Sequence, residues 1–523
     1  MTSFVDENSP LITGEGRSDT TARQRRSPFG TEVFALIIVV GLILSTRTSF
    51  LPRQLTPLLS TETPVSFPHN FTWGAATSAY QIEGATKLDG RGLSIWDIFC
   101  SKDPQNCNGD NADMACGHYF RIKEDVALMR ELRLTAYRFS IAWPRILPDG
   151  KGRTNPAGVG FYNMLIDELI ENDIEPWVTL YHWDLPQGLE SEYGGWLNRQ
   201  IIDDFGNYAD ICFQVFGDRV KKWITINEPW TVAVHGYDEG SKAPGHSNHF
   251  ATEPYIVGHN LLLAHARAVF IYKSKFAQKQ DGIIGISNSG DFRWPLNPDK
   301  KGDVDAADRS MEWQLGWFAD PIWKGDYPPS MRKLLGHRLP SFTPEERKLL
   351  SGSSDFLGLN HYSSLLASEP LLQASSSGEY WADMHVEFSD HPSWTKNCMG
   401  WNIAPEGGRE LLLWIRDRYS NPTVYITENG SCENETNLES AVHDNGRRDY
   451  LEGYIRAFGE AVMKGVDLKG YFAWSLMDNF EWGFGYKPRF GIIRVNYETL
   501  ERTPKLSANW YRDTIQANGR NLN

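Results

Sequence analysis

The sequence predicts an α/β fold, a single (β/α)8 barrel, on three observations. Between about Phe67 and Tyr511, short apolar, β-branched or aromatic runs alternate with segments of helical periodicity, the pattern of parallel βαβ units. The runs number eight, the count at which a parallel sheet with outer helices closes on itself. No Gly-x-Gly-x-x-Gly follows the first run, which speaks against an open, doubly wound nucleotide-binding sheet.

In chain order the expected strands are Phe71–Thr77, Ala136–Trp143, Glu175–Trp183, Lys222–Trp230, Gly282–Asn288, Asp355–Tyr362, Thr423–Asn429 and Val466–Leu476. Each gives way to polar or charged residues before helical spacing resumes, most clearly in Gly160–Asn172 (GFYNMLIDELIEN) and Arg199–Phe216. No composition break interrupts this rhythm, so residues 65–515 are read as one TIM-barrel domain with long loops.

Composition narrows the functions. Of 523 residues, Lys and Arg supply 52 charges against 66 from Asp and Glu, a net charge of −14. So acidic a chain repels phosphate backbones, and nucleic acid is excluded as a partner. Six cysteines are too few for a disulfide scaffold. Cys100 and Cys107 are close enough to bridge, Cys116 is an alternative partner, and free buried thiols are an equal reading. The 19 Trp, 21 Tyr and 26 Phe fill a large core or bind a ligand with apolar faces and polar rims, such as a sugar.

The N-terminal segment stands apart. Residues 1–32 are polar, carry Arg23, Arg25 and Arg26, and are expected to form a disordered cytoplasmic tail. Val33–Thr46 (VFALIIVVGLILST) is uncharged and is read as a hydrophobic signal-anchor or transmembrane segment at 33–46. A cleaved leader is the rival, but 32 residues precede the apolar run, whereas a whole signal peptide takes about 15–30. The arginine cluster sets the tail inside, and residues 47–64 form a linker. The expected location is membrane-anchored with a lumenal or extracellular body; cleavage would make it secreted or vacuolar. Asn70-Phe-Thr72 and Asn434-Glu-Thr436 are glycosylation sequons that fit such a body. Asn429-Gly-Ser431 also matches, but Asn429 is expected in a pocket.

A barrel gathers the C-terminal ends of its strands at one mouth. Here those ends supply Gln81, His182, Asn227, Glu228, Asn360, Tyr362, Glu428, Asn429 and Trp474. Glu228, after Lys222-Trp-Ile-Thr-Ile-Asn227, and Glu428, after Val424-Tyr-Ile-Thr427, each lie one step past an apolar run, on strands 4 and 7. Two carboxylates facing each other in an aromatic cavity are the machinery of glycoside hydrolysis. A close pair retains anomeric configuration and a wider pair inverts it; sequence spacing leaves the choice open. No metal-ligand cluster or cofactor fingerprint is present, and this chemistry needs neither.

Five segments then resemble one family. They are residues 67–84 (FPHNFTWGAATSAYQIEG), 181–186 (YHWDLP), 225–229 (TINEP), 425–430 (YITENG) and 474–482 (WSLMDNFEW). They are similar, in order and over about 65–515, to the signatures of family 1 glycoside hydrolases, the β-glucosidases. The resemblance implies a retaining β-glucosidase acting on a small-molecule β-glycoside, with Glu428 as nucleophile and Glu228 as acid and then base. It implies that Arg138 and Tyr362 orient Glu428. Gln81, His182, Asn227, Asn360 and Glu481 would bind sugar hydroxyls, Trp474 and Trp482 would lie against the ring, and Trp401 would stack on the leaving group. Family members acting on 6-phosphoglycosides carry Ser and Lys near position 481, where the acidic Glu481 would repel phosphate. A transglycosidase would use the same residues, and a non-catalytic sugar-binding barrel would lack one carboxylate. The sequence departs from the family at Gly117, Asn402 and Gly408, the last two expected beside the outer subsite.

Overall fold

The computed structural model describes residues 65–371, 378–435 and 437–522. Eight parallel strands close into a barrel: β1 (Thr72–Ala76), β2 (Ala136–Ser140), β3 (Glu175–Tyr181), β4 (Lys222–Asn227), β5 (Ile283–Ser289), β6 (Leu357–Asn360), β7 (Val424–Asn429) and β8 (Leu468–Trp474). Neighbours in sequence are neighbours in the sheet, and β1 closes on β8, with Thr72 opposite Gly470 and Ala76 opposite Trp474.

Every expected run contains a strand, but most strands stop earlier than the apolar pattern. The run Ala136–Trp143 ends at Ser140, because Trp143-Pro144 opens a short helix, Trp143–Ile146. Proline is tolerated there, where its missing N–H is not needed. Lys222–Trp230 ends at Asn227, since Pro229 starts the helix Pro229–Tyr237 in the same way. The expected helices are observed as Pro156–Glu171 and Gln200–Phe216.

Large rings fill the inside of the barrel near the strand beginnings. Trp177 lies 4.7 Å from Tyr425 and 5.1 Å from Phe472, ring to ring, with Phe356 at 5.7 Å. Such bulk requires small neighbours: a Cβ on Gly74 would meet Phe472 at 2.4 Å. Truncating Trp177 would cost about 3–5 kcal/mol by opening a cavity the rigid strands cannot collapse. A second core joins strands to helices, where Phe213 packs 5.0 Å from both Trp223 and Tyr272. With the barrel floor plugged by rings, the space inside the barrel for a ligand lies at the opposite, C-terminal mouth.

Two disulfides are present. Cys100–Cys107 closes the small loop read from sequence, and Cys398–Cys432 spans 34 positions. The second was not anticipated, because nothing local marks residues so far apart as neighbours. Cys116 and Cys212 are buried free thiols.

The membrane-anchored location is corrected. Among the described residues no helix is long and apolar enough to cross a membrane. The segment 33–46 lies outside the described residues, and its 14-residue apolar run is short of the roughly 20 that spanning requires. Asn70 and Asn434 are exposed, whereas Asn429 is fully buried and donates to the His361 carbonyl and the Tyr450 hydroxyl, leaving no room for a glycan.

Candidate active site

The two carboxylates stand where the barrel ladder slips. The β4–β5 pairing shifts between Ile224 and Asn227, and the β6–β7 pairing shifts between Ile426 and Glu428. Such irregularities re-aim side chains at barrel rims. Glu428 lies inside β7, which runs through Asn429, rather than one step past the strand. Glu228 does follow its strand, in a left-handed conformation at φ 47° that caps the helix Pro229–Tyr237. Trp183 and Trp482 also have positive φ, at 75° and 55°. Bulky residues persist in this region only where surrounding contacts hold them, which is a mark of functional sites. Gly430 has a steric reason of its own: a Cβ there would lie 1.7 Å from the Trp474 carbonyl oxygen.

A single hydrogen-bond network joins the pair. Arg138 Nη1 donates to Glu428 Oε1 at 2.6 Å and to the Thr427 carbonyl at 2.9 Å, while Nη2 donates to Asn227 Oδ1 at 2.6 Å. Asn360 Nδ2 donates to that same Asn227 oxygen at 3.0 Å and to Glu228 Oε1 at 2.8 Å. The remaining carboxylate oxygens are also held. Tyr362 donates to Glu428 Oε2 at 2.7 Å and Thr231 donates to Glu228 Oε2 at 2.6 Å. Buried polar groups satisfied this fully rigidify a site rather than destabilise it.

Burial dominates the electrostatics of Glu428 and Glu481. Burial pushes the Glu428 carboxyl up to about 7; Arg138 and the Tyr362 hydrogen bond oppose the shift, and the charge of Glu228 adds to it. Burial likewise pushes Glu481 up to about 8, against the pull of Lys242. Burial and the nearby Arg138 hold His182 neutral, so it meets a ligand as a neutral hydrogen-bonding ring. That ring lies near-parallel to Trp474 and Trp482, with centroids 5.9 and 6.0 Å away.

A cavity of about 360 Å³ opens over this network. Of the residues read from sequence, His182, Glu228, Asn360, Tyr362 and Glu428 line it. So do Trp401, Trp474, Glu481 and Trp482. Gln81, Arg138 and Asn227 stand one layer behind, fully buried. Gln81 Nε2 donates to Asn479 Oδ1 and the Phe480 carbonyl, and its Oε1 accepts from Ser78, so its amide fixes the 474–482 segment. Asn402 borders the cavity as expected. Gly408 does not; it packs against Phe458 and His361.

Sequence reasoning missed several lining residues. Trp183 lies inside a quoted motif and Thr231 one helical turn past Glu228, so both were within reach of local inspection. Trp230 stands beside Thr231 on the helix Pro229–Tyr237, whereas Lys242 follows that helix, Arg293 sits on the short strand Phe292–Pro295 and Trp381 on the short helix Tyr380–Met384, outside the barrel strands whose ends point to the mouth.

The comparisons identify the family. The sequence profile described as glycosyl hydrolase family 1 matches residues 63–520. Beta-glucosidase 34 of Oryza sativa subsp. japonica is 45% identical over 473 residues, covering 86% of this chain and 92% of its own. Raucaffricine-O-beta-D-glucosidase of Rauvolfia serpentina is 45% identical over 493 residues, covering 86% and 91%. Among solved structures, a rice β-glucosidase mutant in a covalent complex with glucose matches with a TM-score of 0.84 at 43% identity, over 86% of this chain and 99% of that one. A β-glucosidase from the fungus Humicola insolens in complex with glucose gives 0.84 at 43%, over 87% and 99%. The chain belongs to glycosyl hydrolase family 1 and is one of its β-glucoside-hydrolysing enzymes.

Proposed function

We propose that the protein is a retaining β-glucosidase working by double displacement. The observation that carries this reading is the network itself: Arg138 and Tyr362 grip both oxygens of Glu428, while Asn360 and Asn227 tie that grip to Glu228. In the first step a Glu428 oxygen attacks the anomeric carbon, the glycosidic C–O bond breaks, and the Glu228 proton passes to the departing oxygen. In the second, Glu228 takes a proton from water, water oxygen bonds the anomeric carbon, and the bond to Glu428 breaks. The rice relative solved as a covalent glucose complex supports a glycosyl-enzyme here.

His182, Asn360 and Glu481 read sugar hydroxyls, Trp474 and Trp482 lie against the ring, and Trp401 stacks on the leaving group. Asn227 and Gln81 contribute from behind, Asn227 by holding Arg138, Asn360 and His182 and Gln81 by fixing the 474–482 segment. A site built to bind hydroxyls discriminates against the wrong epimer by leaving its own polar groups unpaired. β-Galactosides and β-fucosides, which differ at C4 and C6, are the next substrates to compare, with and without an added alcohol acceptor to measure transglycosylation. A 2-deoxy-2-fluoro-β-glucoside should trap the intermediate on the peptide containing Glu428; a label on any other peptide would remove Glu428 as nucleophile.

A further inference from the structure

Glu428 and Glu228 are held by different kinds of partner. Glu428 pairs with the Arg138 guanidinium, 2.6 Å from Nη1 to Oε1, a fixed charge that favours one ionisation state. Glu228 accepts instead from two neutral groups, the Asn360 amide on Oε1 at 2.8 Å and the Thr231 hydroxyl on Oε2 at 2.6 Å. A residue that gives up a proton and later regains it needs partners that tolerate both states. These two tolerate them unequally.

The Asn360 amide cannot turn over. Arg138 has only donors, so its Nη2 makes Asn227 Oδ1 an acceptor. The Asn360 group facing that same oxygen at 3.0 Å is therefore the amide nitrogen, which also donates to Glu228 Oε1. The Asn360 oxygen is occupied on its other side, accepting from Ser287 at 3.0 Å and Thr427 at 2.7 Å. Oε1 thus faces an N–H in either state of Glu228. In a neutral carboxyl the carbonyl oxygen accepts from an N–H better than the hydroxyl oxygen does, so Oε1 takes the carbonyl role and the proton belongs on Oε2. The Thr231 hydroxyl on Oε2 both donates and accepts, and its hydrogen can rotate. Thr231 is 5% exposed, lies in the first turn of the helix that Glu228 caps, and lines the cavity beside Glu228.

Resting on the retaining β-glucosidase reading, we propose that Glu228 carries its working proton on Oε2 and that Thr231 is a positioning residue for the acid step, its hydroxyl donating to Oε2 as that oxygen becomes bare. In this step the Oε2–H bond breaks, its electron pair stays on Oε2 and the proton joins the departing oxygen. The glycosidic C–O bond breaks with its pair going to that oxygen, and a Glu428 oxygen bonds the anomeric carbon. Negative charge moves from Glu428 to Glu228, where a donor already aimed at Oε2 meets it as it develops. A leaving group that departs as a stable anion needs little of this help. An alcohol needs all of it.

Benzyl β-D-glucoside, which must release an alcohol, and 2,4-dinitrophenyl β-D-glucoside separate the roles, because kcat/KM in a double displacement reports the first step. In Thr231→Val, which keeps the shape and removes the hydroxyl, the ratio of kcat/KM, dinitrophenyl to benzyl, is expected to rise about tenfold, as for a lost hydrogen bond to a charged group. Thr231→Ser, which keeps the hydroxyl, should hold the ratio of the unsubstituted protein. An unchanged ratio in Thr231→Val, including an equal loss on both glucosides, overturns the proposal by leaving Thr231 a packing role. So does a raised ratio that Thr231→Ser shares. If the valine variant does not fold, Thr231→Ala is judged by the same ratio. NMR of the first glucose released by the unsubstituted protein tests the underlying reading separately: the α-anomer, or no release from either compound, would sink the retaining mechanism, and this inference with it.

Discussion

Tyr362 donates its hydroxyl hydrogen to Glu428 at 2.7 Å, on the oxygen that Arg138 leaves open. This bond favours the ionised carboxylate against the burial that pushes it up to about 7. The nucleophile must be ionised, so activity falls as pH drops through that region. Tyr362→Phe removes a hydrogen bond to a charged group, worth about 1.5–3 kcal/mol, or roughly ten- to hundredfold in kcat/KM. It should also move the acid limb of the pH–rate profile to higher pH. An unmoved acid limb would show that the tyrosine only packs.

Glu428→Gly should abolish hydrolysis while leaving space beside the anomeric carbon. Azide should then restore turnover and yield an α-linked glycosyl azide, identifiable by NMR. Undiminished hydrolysis by the variant would remove Glu428 from the mechanism.

Asp184, two residues after His182, has both carboxylate oxygens buried without a protein partner, and burial pushes it up to about 7. Its folded-state value lies above that of the unfolded chain. The carboxyl's stabilising contribution is therefore complete below the unfolded value and is lost as pH rises toward about 7. Asp184→Asn escapes that loss. Its melting temperature relative to the parent protein should rise between about pH 4 and about pH 7 and level off above that, and a difference independent of pH would contradict the sign.

The Cys398–Cys432 bridge ties the loop bearing Met399 and Trp401 to the segment just after Glu428. Replacing both cysteines by serine should cost on the order of 3 kcal/mol, by freeing the unfolded chain. It should also loosen the leaving-group wall, raising KM for bulky aryl glucosides more than it lowers kcat. Equal KM values for small and bulky glucosides, relative to the parent, would separate this loop from substrate binding.

What the sequence determined was the set of parts. Eight apolar runs fix the strand count, because parallel strands buried on both faces must be nearly continuous in hydrophobicity. The polar residue closing each run is also local information, which is why Glu228, Glu428, His182 and Asn360 were legible. Tertiary structure decided which of these parts face a ligand and which stand behind them. Gln81, Arg138 and Asn227 look equivalent to the lining residues in sequence, yet the closed barrel and the 474–482 segment bury them one layer back. The Cys398–Cys432 bridge and the lining residues Lys242 and Arg293 come from connections outside the barrel strands, whose paths depend on packing against distant elements. Folding brings Cys398 and Cys432 together from 34 positions apart, so no local pattern encodes their meeting.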